Sequence, residues 1–261
     1  MKLGIAGKRA VVLGASKGLG AAIALALAKE GVAVIGGARS VDAITALGGQ
    51  IEHGATGSIT GLPLDLADPA SVTTFIAALE TAGGADIVIN NSGGPPPGEA
   101  GTIAPTEFSK AFETMVTPLI AITQAMLDGM KTRQWGRIIT LTSSGVEAPI
   151  ARLALSNALR QSLVGWSKTL ASEVAADGIT ANIVVQGRIH TDRVDELDAA
   201  AAKRLGKSLD DVRAQSLATI QAGRYGRPEE LADTVAFLAS ANASYITGSL
   251  IRVDGGVIKS I

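Results

Sequence analysis

The chain contains no cysteine, which excludes disulfides, thiolate nucleophiles and Cys-ligated zinc. Aromatic residues make up only 3% of its 261 residues, so its core must be built from Ala, Val, Ile and Leu. Histidine is nearly missing too. Two of them, His53 and His190, cannot make a His-rich metal site, and no metal is expected. No charge sign dominates: a net charge of −1 argues against broad phosphate-backbone contact, so no nucleic-acid partner is expected. Long apolar runs are also lacking. The most apolar stretch, Ala21 to Ala28, is too short to span a bilayer and ends at Lys29-Glu30. Met1 to Ala10 holds no apolar targeting core, and the chain reads as a mature cytoplasmic protein without a membrane partner.

What is present is glycine, 31 residues of it, within a regular alternation of short apolar runs and helical patterns. Arg9–Leu13 suits a buried parallel strand, and a glycine turn joins it to an Ala/Leu helix reaching Glu30. Val32–Gly36 reads as a second strand and Val41–Leu47 as a short helix. Gly48–Thr60 is ambiguous, with a third strand near Ile59–Leu64, and Asp68-Pro69 opens a helix towards Leu79. Asp86–Asn90 is a fourth strand, followed by a loop stiffened by Pro95, Pro96 and Pro97. A long helix over Thr106–Lys131 should kink at Pro118. Arg137–Thr142, a helix over Ile150–Ala176, and Ile179–Val185 come next. The polar segment Gln186–Gln221 should cap a substrate site, Pro228 starts a helix, and Ser249–Val253 closes the sheet. The pattern predicts one α/β domain over residues 1–261. Its doubly wound parallel (Rossmann) sheet should carry helices on both faces and bind ligands beyond the carboxyl ends of its strands.

The first turn carries chemistry. It reads Gly14-Ala15-Ser16-Lys17-Gly18-Leu19-Gly20. Gly14 permits the tight turn, Gly18 lets backbone approach a pyrophosphate, and Gly20 lets helix and sheet pack closely; the helix amino terminus then favours the anion. An acid at the end of the second strand would hold the ribose 2′-OH of NAD, but Ala38 stands there, followed by Arg39. With Lys17 nearby, two cations favour a 2′-phosphate and hence NADP(H), unless both are merely solvated surface charges.

Three further matches, in order along the chain, complete a resemblance to the short-chain dehydrogenase/reductase family from about Lys8 to Gly256. They are Leu64-Asp65-Leu66, Asn90-Asn91-Ser92-Gly93 and Asp254-Gly255-Gly256. The whole-chain pattern is most similar to that of 3-oxoacyl thioester reductases. The resemblance implies that Asp65 and Leu66 meet the adenine, that Asn91, Ser92 and Gly93 lie beside the cofactor, and that Thr191 meets the nicotinamide carboxamide. Asp65 also reads as a helix-capping acid ahead of Asp68-Pro69.

The resemblance weakens where the family does its chemistry. Ser143, with Ser144 as the alternative register, matches the family's serine that holds the substrate oxygen, although a Ser-Ser pair also suits a plain turn. The family's proton donor is the tyrosine of Tyr-x-x-x-Lys, and here Ser156 and Arg160 stand in its tyrosine and lysine positions. Tyr225 and Tyr245, the chain's two tyrosines, lie far downstream, and Tyr225 reads as part of a structural turn. Met115 replaces the family's asparagine, and Gln186-Gly187 its Pro-Gly. Serine is a poor acid, and arginine stays charged but can stabilise an alkoxide or help fix a water. His190, in the loop that the family places near the nicotinamide, is a second proton source or an inert loop histidine. Glu147 reads as a pocket-lining or solvated acid, and His53 carries no functional signal.

Two functions follow. One is an NADP(H)-dependent oxidoreductase moving hydride to or from a small carbonyl or alcohol with a non-standard proton donor, or reducing C=C or C=N. The other is an NADP(H)-binding protein with little or no reductase activity. The resemblance also implies a homo-oligomer, a tetramer or dimer, through the two long helices. Ala151, Ala154 and Ala158 would permit close helix contact there or pack inside the subunit.

Overall fold

The computed structural model describes residues 2–51 and 56–261; His53 lies outside them. Seven strands form one sheet in the order β3-β2-β1-β4-β5-β6-β7, and all six neighbouring pairs are parallel. They are β1 (Arg9–Leu13), β2 (Ala33–Ala38), β3 (Ser58–Pro63), β4 (Ile87–Asn90), β5 (Gly136–Ser143), β6 (Ile179–Gln186) and β7 (Leu250–Val253). The chain winds outward from β1 to β3, then crosses back to β4 on the other side of β1. The carboxyl ends of β1 and β4 therefore flank the crevice where a doubly wound sheet takes its ligand. The register centres on Val11, which pairs with Ile35 on one side and Val88 on the other.

Both faces of the sheet are covered, which is why β4 and nearly all of β5 are buried at successive residues rather than alternately. On one face α1 (Gly18–Lys29), α2 (Val41–Gly48) and α9 (Pro228–Leu238) bury Ile23, Leu27, Ile44, Leu231 and Val235 against Val12, Ile89 and Leu141. On the other, α3 (Pro69–Thr81), α5 (Thr117–Thr132) and α6 (Ala154–Val174) bury Phe75, Ile122, Leu159 and Leu163 against Val11, Val88 and Ile138. Short aliphatic side chains supply most of this filling and let the helices lie close to the sheet.

The expected long helix before β5 is two helices. α4 (Pro105–Met115) ends at Val116, whose φ of −114° departs from helical geometry, and α5 begins at once. Pro118 sits in the first turn of α5. Lacking an N–H, it cannot donate to the carbonyl of residue 114, so the break falls just before it. Met115 is thereby buried at the break. The helix expected from Ile150 starts later, at Ala154, because Arg152 takes a left-handed φ of 64°. That turn is held by the Arg152–Glu99 ion pair and by the Gly98 N–H donating to the Arg152 carbonyl at 2.7 Å. Within the expected capping segment, α7 (Asp192–Leu205) and α8 (Leu209–Leu217) form a helical pair. No helix among the described residues is long and apolar enough to cross a membrane.

Candidate functional site

The glycine turn is shaped as its sequence requires. Gly14 and Gly18 have φ of 64° and 57°, a region that side chains avoid. A Cβ on Gly14 would lie 2.9 Å from Asn91 Nδ2, and one on Gly20 would overlap the Gly14 carbonyl oxygen. Asn91 Nδ2 donates to the Leu13 carbonyl at 3.1 Å, clamping the ends of β1 and β4 together. Below it, Asn90 is fully buried and donates to the hydroxyls of Thr123 (2.9 Å) and Thr140 (3.3 Å). Lys17 opens α1 in extended geometry without a side-chain cap, so the first-turn N–H groups beside Ser16 and Leu19 are left for an anion.

A second helix start faces the first. The Thr191 methyl lies 3.6 Å from where a Cβ on Gly18 would stand, and Thr191 opens α7 without capping it. Lys17 Nζ approaches Asp192 at 4.0 Å across the mouth between them, and both side chains are largely exposed. Lys17 is thus engaged, weakly, with α7. Arg39 follows the last residue of β2, exposed and without an ion pair among the described residues. The alternative reading of Asp65 falls to its neighbour. Asp68 accepts from the Ala70 N–H at 3.0 Å and caps α3, whereas Asp65 Oδ1 accepts from the Ala67 N–H at 2.9 Å. Asp65 and Leu66 stay half-buried beyond the end of β3.

The residues of the chemical end gather beyond β4, β5 and β6. Ser143 is the last residue of β5, and its Oγ accepts from the Gly145 N–H at 3.2 Å, leaving its own proton free to donate. Ser144 turns inward and is buried. Ser156 and Arg160, one turn apart on α6, are both more than nine-tenths buried. The Arg160 guanidinium donates only to carbonyls, Leu141 O at 3.2 Å and Ser92 O at 3.4 Å. It has no carboxylate partner among the described residues. Burial pulls its pKa down to about 10, which still leaves it charged at neutral pH. Ser92 Oγ and Gln186 Oε1 are buried without hydrogen-bond partners among the described residues. Gly93 is open to space where a side chain would be.

Other expected residues lie elsewhere or do something different. His190 Nε2 stands 3.3 Å from Asp195 Oδ2, and Arg213 binds the other oxygen of that carboxylate at 2.7 Å. His190 also lines a cavity of about 500 Å³ together with Leu217, Arg224 and Tyr225. Glu147 is not a freely solvated acid, because Arg252 on β7 grips both of its oxygens. Tyr225 does more than shape a turn. Its hydroxyl donates at 2.8 Å to Asp198, which also pairs with Arg188. Asp198 is 1% exposed and ties α7 to the loop after β6. Burial first, then the Asp198 contact, holds the Tyr225 phenol above its ordinary pKa. Sequence reasoning missed Asp198, since an acid within a polar helix carries no local signal. Among the described residues no cluster of three or more acidic or histidine side chains could hold a metal.

The family described as enoyl-(acyl carrier protein) reductase matches residues 14–258. The 3-oxoacyl-[acyl-carrier-protein] reductase FabG of Escherichia coli is 38% identical over 252 residues, covering 96% of this chain and 97% of its own. Among solved structures, L-sorbose reductase of Gluconobacter frateurii, complexed with NADPH and L-sorbose, superposes with a TM-score of 0.93 at 30% identity over all of both chains. YwfH, an NADPH-dependent reductase involved in bacilysin biosynthesis, gives 0.91 at 30% identity over 97% of this chain and 99% of that one.

Proposed function

The chain belongs to the short-chain dehydrogenase/reductase family, and from that premise we infer that it is a cytoplasmic NADP(H)-dependent oxidoreductase. Its substrate is a small carbonyl or alcohol, and its proton donor departs from the family's tyrosine. The observation that carries this reading is the buried Arg160, without a counter-charge among the described residues, one turn from Ser156 and bonded to the Leu141 and Ser92 carbonyls at the ends of β5 and β4. The glycine turn fits a dinucleotide phosphate. Side chains at Gly14 or Gly20 would clash with Asn91 or with the turn's own backbone and distort it, and Ser92 Oγ and Gln186 Oε1 are buried polar atoms that lack partners among the described residues.

In this reading, Gly14, Ser16, Gly18, Leu19 and Gly20 hold the pyrophosphate through backbone N–H groups. Arg39 takes the 2′-phosphate, with Lys17 adding positive charge. Asp65 and Leu66 flank the adenine, and Asn91, Ser92, Gly93 and Thr191 bound the nicotinamide end. The bound cofactor supplies or accepts the hydride. Ser143 donates its hydroxyl proton in a hydrogen bond to the substrate oxygen, and Arg160 offsets the negative charge that develops there. Ser156 and Arg160 together fix a water that delivers the proton, and the exposed His190–Asp195 pair is the second candidate source. The segment 186–221 covers the substrate as part of one domain spanning residues 1–261.

Two further readings have specific support. Arg160 stabilises charge but gives up no proton at neutral pH, which suits C=C reduction, where the enolate left by hydride addition takes its proton from solvent. The missing tyrosine also supports an NADP(H)-binding protein with little reductase activity. A panel of ketones, aldehydes and enones, with NADPH oxidation and NADPH fluorescence read side by side, separates them. We expect fluorescence-detected binding and turnover of at least one panel member, with kcat/KM falling about a hundredfold in Ser143→Ala. Binding without turnover across the panel favours the binding protein. If Ser143→Ala and His190→Ala both leave a detected activity unchanged, the catalytic assignment is wrong.

A further inference from the structure

Gln186 stands where the resemblance leads one to expect proline, and its surroundings show what it is placed to do. It is the last residue of β6, paired in register with Ser143 on β5 and Val253 on β7. Register partners in neighbouring parallel strands put their side chains on the same face of a sheet. Gln186 therefore projects beside Ser143, the residue assigned to the substrate oxygen. Its backbone has little freedom to move. Gly187 N–H donates to the Val253 carbonyl at 2.9 Å, and a side chain on Gly187 would lie 2.6 Å from Asp254 Cα. In this fixed position the amide oxygen of Gln186 is buried and accepts no hydrogen bond among the described residues. A buried acceptor without a donor is costly, and the cost is recovered when a ligand supplies the donor.

We propose that Gln186 is a cofactor-positioning residue whose Oε1 accepts a hydrogen bond from the carboxamide –NH2 of the nicotinamide. The inference rests on the NADP(H) reading above. The chemistry is selective, because the carboxamide is the nicotinamide's only N–H donor. Ser143 and Gln186 come from adjacent strand ends, so one rigid edge would set both the substrate oxygen and the ring that exchanges hydride with it. A proline at this position has no side-chain acceptor, so the assignment belongs to this chain's own residue.

The test uses the acetylpyridine analogue of NADP+, in which a methyl group replaces the carboxamide –NH2 and the carbonyl is kept. Displacement of fluorescent NADPH by NADP+ or by the analogue gives both affinities without turnover. Phospho-ADP-ribose, which lacks the nicotinamide, serves as the control ligand. The intact protein should bind NADP+ about tenfold more tightly than the analogue. In Gln186→Met, which keeps the side-chain length without an acceptor, that ratio should fall at least about threefold, while phospho-ADP-ribose binds as before. Equal affinity of the intact protein for NADP+ and analogue overturns the proposal, as it would if the amide were turned to present Nε2 to the retained carbonyl. An unchanged ratio in Gln186→Met also overturns it. Failure to bind NADPH or phospho-ADP-ribose at all sinks the NADP(H) reading itself, and this inference with it.

Discussion

At the scale of single residues, the site contrasts tight backbone constraint with unsatisfied side chains. Gly20 is the tightest case, because any Cβ overlaps the Gly14 carbonyl oxygen. Gly20→Ala should destabilise the fold by about 1–3 kcal/mol through overpacking, measured by urea unfolding, and weaken NADPH binding because the first turn of α1 must shift. Arg39 tests the cofactor assignment from the opposite direction, being exposed and free of ion pairs among the described residues. Arg39→Ala should cost NADPH about tenfold in affinity and leave NADH nearly unaffected; equal losses for both would place the 2′-phosphate elsewhere. For the proton, Ser156→Tyr combined with Arg160→Lys should raise NADPH-dependent carbonyl reduction about tenfold or more if only the acid is missing. An unchanged rate would mean that the pocket has diverged as well.

At the scale of elements, α7 and α9 are fastened by different electrostatics. Asp198 holds α7 to Arg188 and Tyr225 from a position almost wholly out of solvent. Asp198→Ala strands a partly buried arginine and should cost about 2–3 kcal/mol, less than a fully buried pair because Arg188 keeps some solvent contact. Hydrogen exchange should localise that loss to α7 and the 223–226 turn. Glu230, in the first turn of α9, is about a third exposed. Its hydrogen bond from the Arg224 side chain, followed by one from the Arg227 backbone N–H, lowers its pKa from the ordinary 4.5 to about 2. A carboxylate depressed by folding stabilises above its unfolded value, and that contribution is lost as pH falls through the folded one. The Tm difference between the natural chain and Glu230→Gln should therefore be full at neutral pH, shrink below about pH 4.5 and vanish near pH 2. Added salt should narrow it throughout.

At the scale of the whole molecule, the face formed by α4 and α6 is conspicuous. Phe108 and Phe112 lie one turn apart on α4 and are 38% and 39% exposed in a chain otherwise poor in aromatics. Ala151 and Ala158 are exposed nearby in sequence to the start of α6, while Ala154 is half-buried, so this small-residue face does not simply pack inward. The proposed homo-oligomer would cover such a surface. Light scattering should show a dimer or tetramer, and Phe108→Asp with Phe112→Asp should shift it towards smaller species without changing the far-UV spectrum. A monomeric natural chain would end that proposal.

The sequence alone determined whatever depends on neighbours along the chain. The Arg9–Leu13 strand, the glycine turn, the helix start at Asp68-Pro69 and the doubly wound parallel sheet were legible because their signals are local spacing and backbone geometry. Ser156 and Arg160, in the places where the resemblance leads one to expect Tyr-x-x-x-Lys, are likewise read as residue types at a counted interval. Only the tertiary structure decided which polar atoms find partners. It broke the long helix at Val116, gave the α3 cap to Asp68 rather than Asp65, tied His190 to Asp195, and paired Glu147 with Arg252. It also left Arg160 without a counter-charge and the Gln186 amide oxygen without a donor among the described residues. Such outcomes depend on distances between residues far apart in sequence, and burial gives each made or missing bond its energetic weight.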